Sequence, residues 1–263
     1  MEGRQRVIDT ASMVSIKGVS KAYSTSRGDS LLAVQDVSFE VSKGEFLSLI
    51  GHSGCGKTTL LKIIAGLVTP SSGEVEVEGH PVNAPLRDVG IVFQHPLLMP
   101  WRTVLANVLL PVELLGKNVV EYRARALDLL GTFGLENFKD LYPRELSGGM
   151  QQRAALARAL VHDPPMLLLD EPFGALDELT REEMAVELLR TTEALGKTVV
   201  FVTHSVPEAV LLSDRVLVLS PRPSEVKKQL PIAIPRPRKR TVRDDQVYLR
   251  CCESLRESLG MAV

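Results

Sequence analysis

The sequence feature that most constrains the fold is the stretch Gly51–Thr59, which fits the pattern G-x-x-x-x-G-K-[ST]. The apolar run Phe46–Ile50 before it predicts a buried strand. The run Thr59–Ala65 after it predicts a helix that ends near Gly66. A strand, a glycine-rich turn and a helix are the context in which this pattern binds phosphate, because the backbone N–H groups of the turn and the helix N-terminus converge there. A turn that binds nothing is the alternative, and the correct flanks disfavour it.

The residue types of this turn indicate how a nucleoside triphosphate would be held. Lys57 is expected to reach the β- and γ-phosphates, and the Thr58 hydroxyl is expected to face Mg²⁺. Cys55 is a candidate oxidant-sensitive thiol, since its surroundings are predicted to be electropositive. The candidate nucleotide-binding residues of the turn are Gly51, His52, Ser53, Gly54, Cys55, Gly56, Lys57, Thr58 and Thr59.

Composition narrows the class of protein. The chain has 263 residues, 44% of them hydrophobic and 24% charged, which is ordinary for a soluble globular protein with one large domain or a domain with a subdomain. A net charge of −1 gives no overall attraction to nucleic acid. Three cysteines do not form a disulfide framework and suggest a reducing compartment. We find no signal-peptide pattern and no apolar run of the roughly 18–20 residues that span a membrane, so a membrane role would need a partner.

Polar side chains directly follow two further predicted strands. Gln94 follows Val89–Phe93, and His204 follows Thr198–Thr203. Open α/β sheets bind ligands at the carboxyl ends of their strands, so both side chains are candidates for a metal, a water or a phosphate. Taken alone, Gln94 is more simply a loop residue and a single histidine is more often structural.

The run Met166–Leu169 is continuously apolar, as in a central parallel strand, and it ends in two carboxylates, Asp170 and Glu171. This is the Walker B pattern. Asp170 is expected to hold Mg²⁺ through water, and Glu171 to orient or deprotonate a water that attacks the γ-phosphate. A pair of helix-capping acids is the alternative.

A helical subdomain is predicted between these strands. From Thr103 to Phe138 no strand pattern appears, and the interval without a strand is about fifty residues, against about thirty for a whole βαβ unit. Thr103 is expected to cap the first helix, Pro111 to kink or end it, and Asn118 with Glu121 to form a capping box for the second.

A second helix start suited to anions follows at Ser147-Gly148-Gly149. Ser147 is a natural N-cap, and the two glycines leave the first N–H groups of the helix uncovered. An ordinary capped helix is the alternative. Two phosphate-type helix starts in one chain suggest that one serves its own nucleotide and the other serves a nucleotide held by a partner.

Two capping boxes are predicted near the end of the sheet domain. Thr180 with Glu183 is expected to start a helix that Gly196 ends, and Ser205 with Glu208 to start the next helix.

Loops and the tail carry further predictions. Ser24–Ser30 is a loop by composition, and Pro96–Trp101 is an apolar loop that is either tucked into the core or docks another protein. Val226–Ile234 predicts an edge strand broken by proline, and Asp244–Leu259 predicts a terminal helix. The basic segment Pro235–Arg240 is expected to be solvated, with attraction to anionic lipid as a minor hypothesis.

In this order, the motifs resemble those of the ATP-binding subunit of an ABC transporter, and the resemblance covers the chain from Tyr23 to about Leu219. The Ser-Gly-Gly helix start just before the Walker B strand is the specific element, because kinases and GTPases share only the P-loop. The sequence departs from the family pattern at Met150, where glutamine is frequent, so side-chain contacts at that position are in question. The matching elements are Tyr23, Gly51–Thr58, Gln94, Leu146–Gln151, Met166–Glu171, Asp177 and His204.

The resemblance implies a fold and a domain organisation. The fold is an α/β P-loop NTPase, with a RecA-like core sheet, an antiparallel β subdomain and an inserted α-helical subdomain. The ATPase core would comprise residues 12–94 and 160–235, and the helical subdomain residues 95–159, ending in the signature helix. Residues 236–263 would form the basic linker and C-terminal helix.

The resemblance also implies roles in ATP binding and hydrolysis with Mg²⁺. Tyr23 would stack on adenine, Gln94 would join Thr58 and Asp170 around Mg²⁺ and sense the lytic water, and His204 would contact the γ-phosphate. Glu171 would act as the general base.

The remaining implied roles concern a second copy of the chain. Ser147, Gly148 and Gly149 of one copy would close on the nucleotide of the other, with Asp177 across the interface. Hydrolysis would then open the pair and drive a membrane permease docked near Pro96–Trp101.

A single nucleotide-binding unit suggests an importer subunit at the cytoplasmic face of the membrane, served indirectly by a solute-binding protein. The segment Leu98–Val104 and the Pro-Arg-Pro-Arg tail resemble sequences of the branch of the family that imports nitrate, sulfonate, taurine and bicarbonate. A non-transport ABC ATPase of the DNA-repair or chromosome-maintenance type is the alternative, but the sequence has no CxxC pair and no extended heptads. A P-loop kinase is a weaker alternative, and no nucleic-acid partner is expected.

Overall fold

The computed structural model describes residues 9–24 and 30–261. These residues divide into two compact units, one within Met1–Leu86 and Gly196–Val263 and the other within Arg87–Leu195. The N-terminal residues 1–8 and most of the predicted Ser24–Ser30 loop lie outside the described residues. Among the described residues, we find no helix with the length and apolar character needed to span a bilayer.

Ten strands and seven α-helices lie in the part of the chain that is described. The strands are β1 (Asp9–Ser24), β2 (Ser30–Lys43), β3 (Phe46–Ile50), β4 (Ser72–Val77), β5 (His80–Pro81), β6 (Val89–Val92), β7 (Met166–Asp170), β8 (Thr198–Thr203), β9 (Arg215–Leu219) and β10 (Val226–Pro231). The helices are α1 (Lys57–Ile64), α2 (Val104–Leu114), α3 (Val119–Thr132), α4 (Gly148–Leu160), α5 (Glu178–Ala194), α6 (Val206–Leu212) and α7 (Gln246–Leu259).

The first unit combines an antiparallel sheet and a mainly parallel one. The antiparallel sheet has the order β2-β1-β4-β5. In the second sheet β3 lies between β8 and β9 and is parallel to both, and β10 is antiparallel to β9. Every residue of β3 and β8 is buried, as expected for parallel strands covered on both faces. Since β3, β8 and β9 run in one direction, the segments that follow them emerge at the same sheet edge.

The second unit combines the parallel pair β6 and β7 with the helices α2 to α5. Every residue of β7 is buried. Both strands end at the same edge, so Gln94, Asp170 and Glu171 emerge together there. The predicted helical subdomain, residues 95–159, lies within this unit, and its boundaries stay a prediction.

Helix starts agree with the sequence in most places. Thr103 caps α2, accepting a hydrogen bond from the Ala106 N–H at 3.3 Å. The prediction that Pro111 could end this helix is wrong, since α2 continues to Leu114 and the Pro111 carbonyl accepts from the Leu115 N–H at 3.0 Å. The fully buried Val108 and Val112 keep the proline-containing turn packed.

Three predicted capping boxes are corrected. The Asn118 side chain caps α3, but Glu121 accepts from the Asn118 amide rather than from its backbone. Ser205 caps α6, while the Glu208 carboxylate accepts from the Thr203 hydroxyl at 2.6 Å. A third box, at Thr180 and Glu183, is wrong: α5 starts at Glu178, because Asp177 accepts from the Thr180 N–H at 3.0 Å.

The basic segment is only partly solvated, contrary to the prediction. Arg238 is 4% exposed, and its guanidinium donates to the backbone carbonyls of Val210, Leu211, Ser213, Ile232 and Ile234. Arg236 forms an ion pair with Asp214 at 2.8 Å. Arg236 and Arg238 therefore bind groups within the protein, so they do not contribute to the attraction to anionic lipid that was considered for this segment.

We expect Arg238→Met to lower the free energy of unfolding by about 2–3 kcal/mol, because several buried carbonyls lose a charged donor. Urea unfolding followed by circular dichroism measures this value. Lys239→Met is the matched control, since Lys239 is exposed and adjacent. Equal stabilities of the two variants would contradict a structural role for Arg238.

Candidate functional site

The turn after β3 forms a cradle of backbone groups at the start of α1. The Lys57 side chain is 5% exposed and curls over the turn, donating to the carbonyls of Gly51 at 2.8 Å and His52 at 3.0 Å. An ammonium group has three donors, so Lys57 is held by the loop and can still present a donor to a ligand. Gly54 and Gly56 have φ values of 73° and 118°, which only glycine adopts readily.

Cys55 lies beneath this turn and not on its surface. The thiol is 2% exposed, and a Cβ placed on Gly51 would lie 2.8 Å from its sulfur. An oxidant-sensitive thiol needs access to solvent, so the hypothesis of a reactive Cys55 lacks its structural basis. The side chain instead fills space against the first glycine of the turn.

Two segments that sequence reasoning missed also contact the turn. Arg222, in the loop after β9, donates from Nη2 and Nε to the Gly54 carbonyl at 2.7 and 3.2 Å. The last residue of α7, Leu259, has its carbonyl 2.9 Å from His52 Nε2. The signal for Arg222 was its position shortly after β9 (Arg215–Leu219), by the rule that selects Gln94 and His204 after their strands.

Tyr23 and His204 are the other predicted site residues of the first unit. Tyr23 lies near the end of β1, is 38% exposed, and has the Lys21 ammonium 5.3 Å from its ring centroid. His204 is exposed and directly follows β8, at the same sheet edge as the phosphate-binding turn. The next residue, Ser205, caps the helix that follows.

The carboxylates after β7 meet Gln94 in the second unit. The Gln94 amide donates to the Glu171 carboxylate, with 3.4 Å between Nε2 and Oε2. Glu171 has a φ of 46°, a left-handed conformation that costs energy for a residue other than glycine and is typical of functional sites. Asp170 is 4% exposed, while Glu171 is half-buried. The arrangement can therefore hold one acid in the interior and present a second beside an amide.

The helix start at Ser147 is open to solvent. Ser147 and Gly148 are exposed, and the Ser147 hydroxyl accepts from the Met150 N–H at 3.3 Å. A Cβ on Gly149 would lie 2.7 Å from Leu176 Cδ2, so a larger residue there would force the Leu176 side chain to shift. The first turn of α4 therefore has N–H groups available to an anion.

Asp177 is exposed and caps α5, which starts just beyond the loop that packs on Gly149. The hydrogen bond from the Thr180 backbone lowers the pKa of the Asp177 carboxyl below its ordinary value. Its capping contribution is therefore present above the unfolded-state pKa and is lost as the pH falls through the lower folded-state pKa.

The Pro96–Trp101 loop is fixed by its backbone and exposes the side chains of Leu97, Pro100 and Trp101, while Leu98 and Met99 are half-buried. Arg158 of α4 donates to the carbonyls of Pro96 and Leu97 at 2.7 and 2.8 Å, and Asn107 binds both backbone groups of Met99. Burial lowers the pKa of Arg158. Trp101 is 72% exposed and Leu97 is 55% exposed. Of the two predicted alternatives, the exposed docking loop fits these side chains better than a loop tucked into the core.

The predicted site residues fall into two groups. The first unit holds Tyr23 on β1 of the antiparallel sheet, and also Gly51–Thr59 and His204, which follow the parallel strands β3 and β8 at one sheet edge. Arg222 follows β9, which is parallel to β3. The second unit holds the others, of which Gln94 and Glu171 are in contact. The residues of the second unit are Gln94, Ser147, Gly148, Gly149, Asp170, Glu171 and Asp177.

Comparison with known proteins identifies relatives across most of the chain. The ABC transporter family model matches residues 34–174. An ABC transporter ATP-binding protein of Methanocaldococcus jannaschii is 51% identical over 214 residues, which are 81% of this chain and 80% of that protein. A taurine import ATP-binding protein of Jannaschia sp. is 45% identical over 222 residues, 84% of this chain and 83% of that protein.

A solved structure supports the same relationship. The dimeric structure of a bacterial ABC transporter cassette superimposes with a TM-score of 0.77 at 37% identity, covering 84% of this chain and all (100%) of that chain. The fold predicted from the sequence, an α/β P-loop NTPase with a helical insertion, is therefore confirmed.

Proposed function

We propose that this chain, which belongs to the ABC transporter family of ATP-binding proteins, hydrolyses ATP as the energising subunit of an importer. The observation that carries the proposal is the Gln94–Glu171 contact directly after two parallel strands, with Glu171 in a strained conformation. A carboxylate at that place can act on a water, which a module that only binds nucleotide does not need.

ATP binding is assigned to the first unit. The backbone N–H groups of Gly51–Thr59 and the start of α1 surround the phosphates, and the Lys57 ammonium, already curled over the turn, donates to the β- and γ-phosphates. Tyr23 stacks on the adenine, and its exposed ring is available for this contact. His204 donates a hydrogen bond to the γ-phosphate from the neighbouring strand end.

The donor set also fits Mg²⁺. Thr58, Gln94 and Asp170 supply hydroxyl, amide and carboxylate oxygens, the ligands that this hard cation prefers. No cluster of three His, Cys, Asp or Glu side chains suited to a metal occurs in residues 9–24 and 30–261, which suits an ion held by few protein groups and by phosphates. When bound, Mg²⁺ neutralises charge on the phosphates.

Hydrolysis is assigned to Glu171 as the general base. Its carboxylate takes a proton from the attacking water, while the Gln94 amide orients the carboxylate and the water. The Gln94 amide also lies close in sequence to the Pro96–Trp101 loop, so events at the γ-phosphate and at the docking surface are linked through a short segment.

The complete site is proposed to form between two copies of the chain. The open α4 terminus at Ser147, Gly148 and Gly149 binds the triphosphate held by the other copy, and the exposed Asp177 lies across the interface. An anion at that terminus is stabilised by the N–H groups and the helix dipole. The dimeric form of the related cassette supports this assembly.

The Pro96–Trp101 loop is proposed as the docking site for a membrane permease, which places the chain at the cytoplasmic face of the membrane. Its exposed apolar side chains, held on a rigid backbone, are suited to an apolar partner helix. A solute-binding protein would deliver the solute to that permease.

We expect Leu97→Asp with Trp101→Ala to lower co-purification with the permease at least about tenfold, because truncating a buried aromatic anchor typically costs 2 kcal/mol or more. Basal ATPase activity of the isolated chain should change little. Val120→Asp with Leu114→Ala is the matched control, since these side chains are 79% and 78% exposed on the same unit. Retained assembly of the loop variant would contradict this docking site.

The solute is proposed to be a small anion such as taurine, another sulfonate, nitrate or bicarbonate, on the strength of the taurine import relative and the resemblance of the sequence to that branch. Vesicles containing the chain, its permease and the solute-binding protein test both the importer function and the proposed class of solute. ATP hydrolysis should rise when one of these anions is supplied. Co-purification of DNA instead of a permease would favour a non-transport ABC ATPase.

A further inference from the structure

We propose that Arg222 is a positioning residue for nucleotide binding, which holds the glycine-rich turn in its phosphate-binding shape before ATP arrives. This inference depends on the proposed function as an ATPase and adds a residue outside the motifs that identify the family. It begins from the two charged hydrogen bonds that the Arg222 guanidinium donates to the Gly54 carbonyl.

The loop that carries Arg222, residues 220–225, is itself rigidly held. Ser220 accepts from the Glu225 N–H through its hydroxyl at 3.0 Å, and its own N–H donates to the Glu225 carbonyl at 3.0 Å. Ser224 is fully buried, with its N–H donating to the Ala33 carbonyl at 3.1 Å and its own carbonyl accepting from the Gln35 N–H at 3.0 Å. The loop is therefore fastened to β2 two residues from Arg222.

The same loop also backs the second flexible glycine of the turn. A Cβ on Gly56 would lie 2.8 Å from the Ser224 hydroxyl oxygen and 3.0 Å from the Ala33 carbonyl oxygen. Arg222 and Ser224 thus contact the turn at Gly54 and Gly56, the two positions with left-handed backbone. The rigid loop and the glycine-rich turn form one packed unit at the sheet edge.

A contact of this kind matters because glycine is the most flexible residue of an empty loop. The N–H groups of the turn bind phosphate only when their peptide planes point to one site. A loop that samples other orientations is competent to bind for only part of the time, and its apparent Kd rises as that fraction falls. By holding the Gly54 carbonyl outward, Arg222 removes alternative orientations of that peptide. Its positive charge also lies beside the turn, which favours an anionic ligand.

The test compares Arg222→Gln, Arg222→Lys and the control Arg250→Gln. Arg250 is exposed on α7, and Arg250→Gln removes one positive charge from the same unit, as Arg222→Gln does. We expect Arg222→Gln to raise the Kd for ATP and ADP about five- to tenfold by calorimetry, as loss of a charge-assisted hydrogen bond would. The KM for ATP should rise in proportion with kcat nearly unchanged, and Arg222→Lys, which keeps one donor, should be intermediate. Arg250→Gln should match the wild type.

Hydrogen exchange in the nucleotide-free protein gives a second readout of positioning. The amides of residues 53–56 should exchange faster in Arg222→Gln than in wild type, with exchange in the core strands unchanged. Wild-type Kd values in Arg222→Gln, or a loss of active fraction with unchanged Kd and KM, would overturn the inference. A wild-type protein that bound neither ATP nor ADP would instead overturn the proposed function, so the two failures are distinguishable.

Discussion

We expect replacement of Glu171 by Gln to lower kcat for ATP hydrolysis by about 10³-fold, because general-base catalysis contributes 10²–10⁴-fold and an amide cannot take the proton from water. The substitution keeps the shape of the side chain and leaves the phosphate-binding turn of the other unit untouched. ATP affinity should therefore stay within about twofold, which is about 0.4 kcal/mol, whereas a tenfold change would be about 1.4 kcal/mol. Steady-state hydrolysis and calorimetry measure the two quantities.

The same variant should trap the ATP-bound pair, since binding assembles two copies and hydrolysis no longer separates them. Size-exclusion chromatography with Mg²⁺ and ATP should show a dimer for Glu171→Gln and mainly monomer for wild type after turnover. Glu136→Gln, which changes an exposed acid of the same unit, is the control and should behave as wild type. A kcat within twofold of wild type, or the absence of an ATP-dependent dimer, would contradict the role of Glu171.

The second large effect is expected for Ser147→Arg, which should reduce turnover at least about hundredfold while ATP binding to the isolated chain persists. A long cation at the open start of α4 removes the cap and occupies the space proposed for the partner's triphosphate. Ser147→Ala separates these effects, because it removes the cap at a cost of about 1 kcal/mol without blocking the space. Hydrolysis assays of both variants measure the difference.

Mixing the two inactive variants distinguishes a shared site from one formed within each chain. In a pair of Ser147→Arg with Glu171→Gln, one of the two composite sites combines an intact Glu171 with the partner's intact Ser147. Activity should therefore reappear on mixing, up to about half that of wild type if the sites act independently. No recovery under conditions where the mixed dimer forms would argue that both residues serve the nucleotide of their own chain.

Several features of this protein could be predicted from short segments alone. The turn Gly51–Thr59 is recognisable because its glycines, lysine and threonines have fixed spacings within one short segment, and its flanking strand and helix show local periodicity. Gln94, Glu171 and His204 follow from one topological rule, since residues after parallel strands emerge at a common edge. The Ser147 cap and the α4 helix are likewise local, with the capping hydrogen bond spanning three residues.

Other features depended on contacts that no local pattern contains. Arg222 contacts Gly54 across 168 residues of sequence, and the His52–Leu259 contact spans 207. Arg238 is charged and lies in a proline-rich basic segment, which locally favours solvent, yet the carbonyls of Val210, Leu211 and Ser213, 25 to 28 residues earlier in the sequence, accept its hydrogen bonds. The sequence by itself thus determined which chemistry the chain carries, because motif geometry is set by neighbouring residues. Only the tertiary structure decided which side chains hold that chemistry in place, because those partners are brought together by packing and not by spacing.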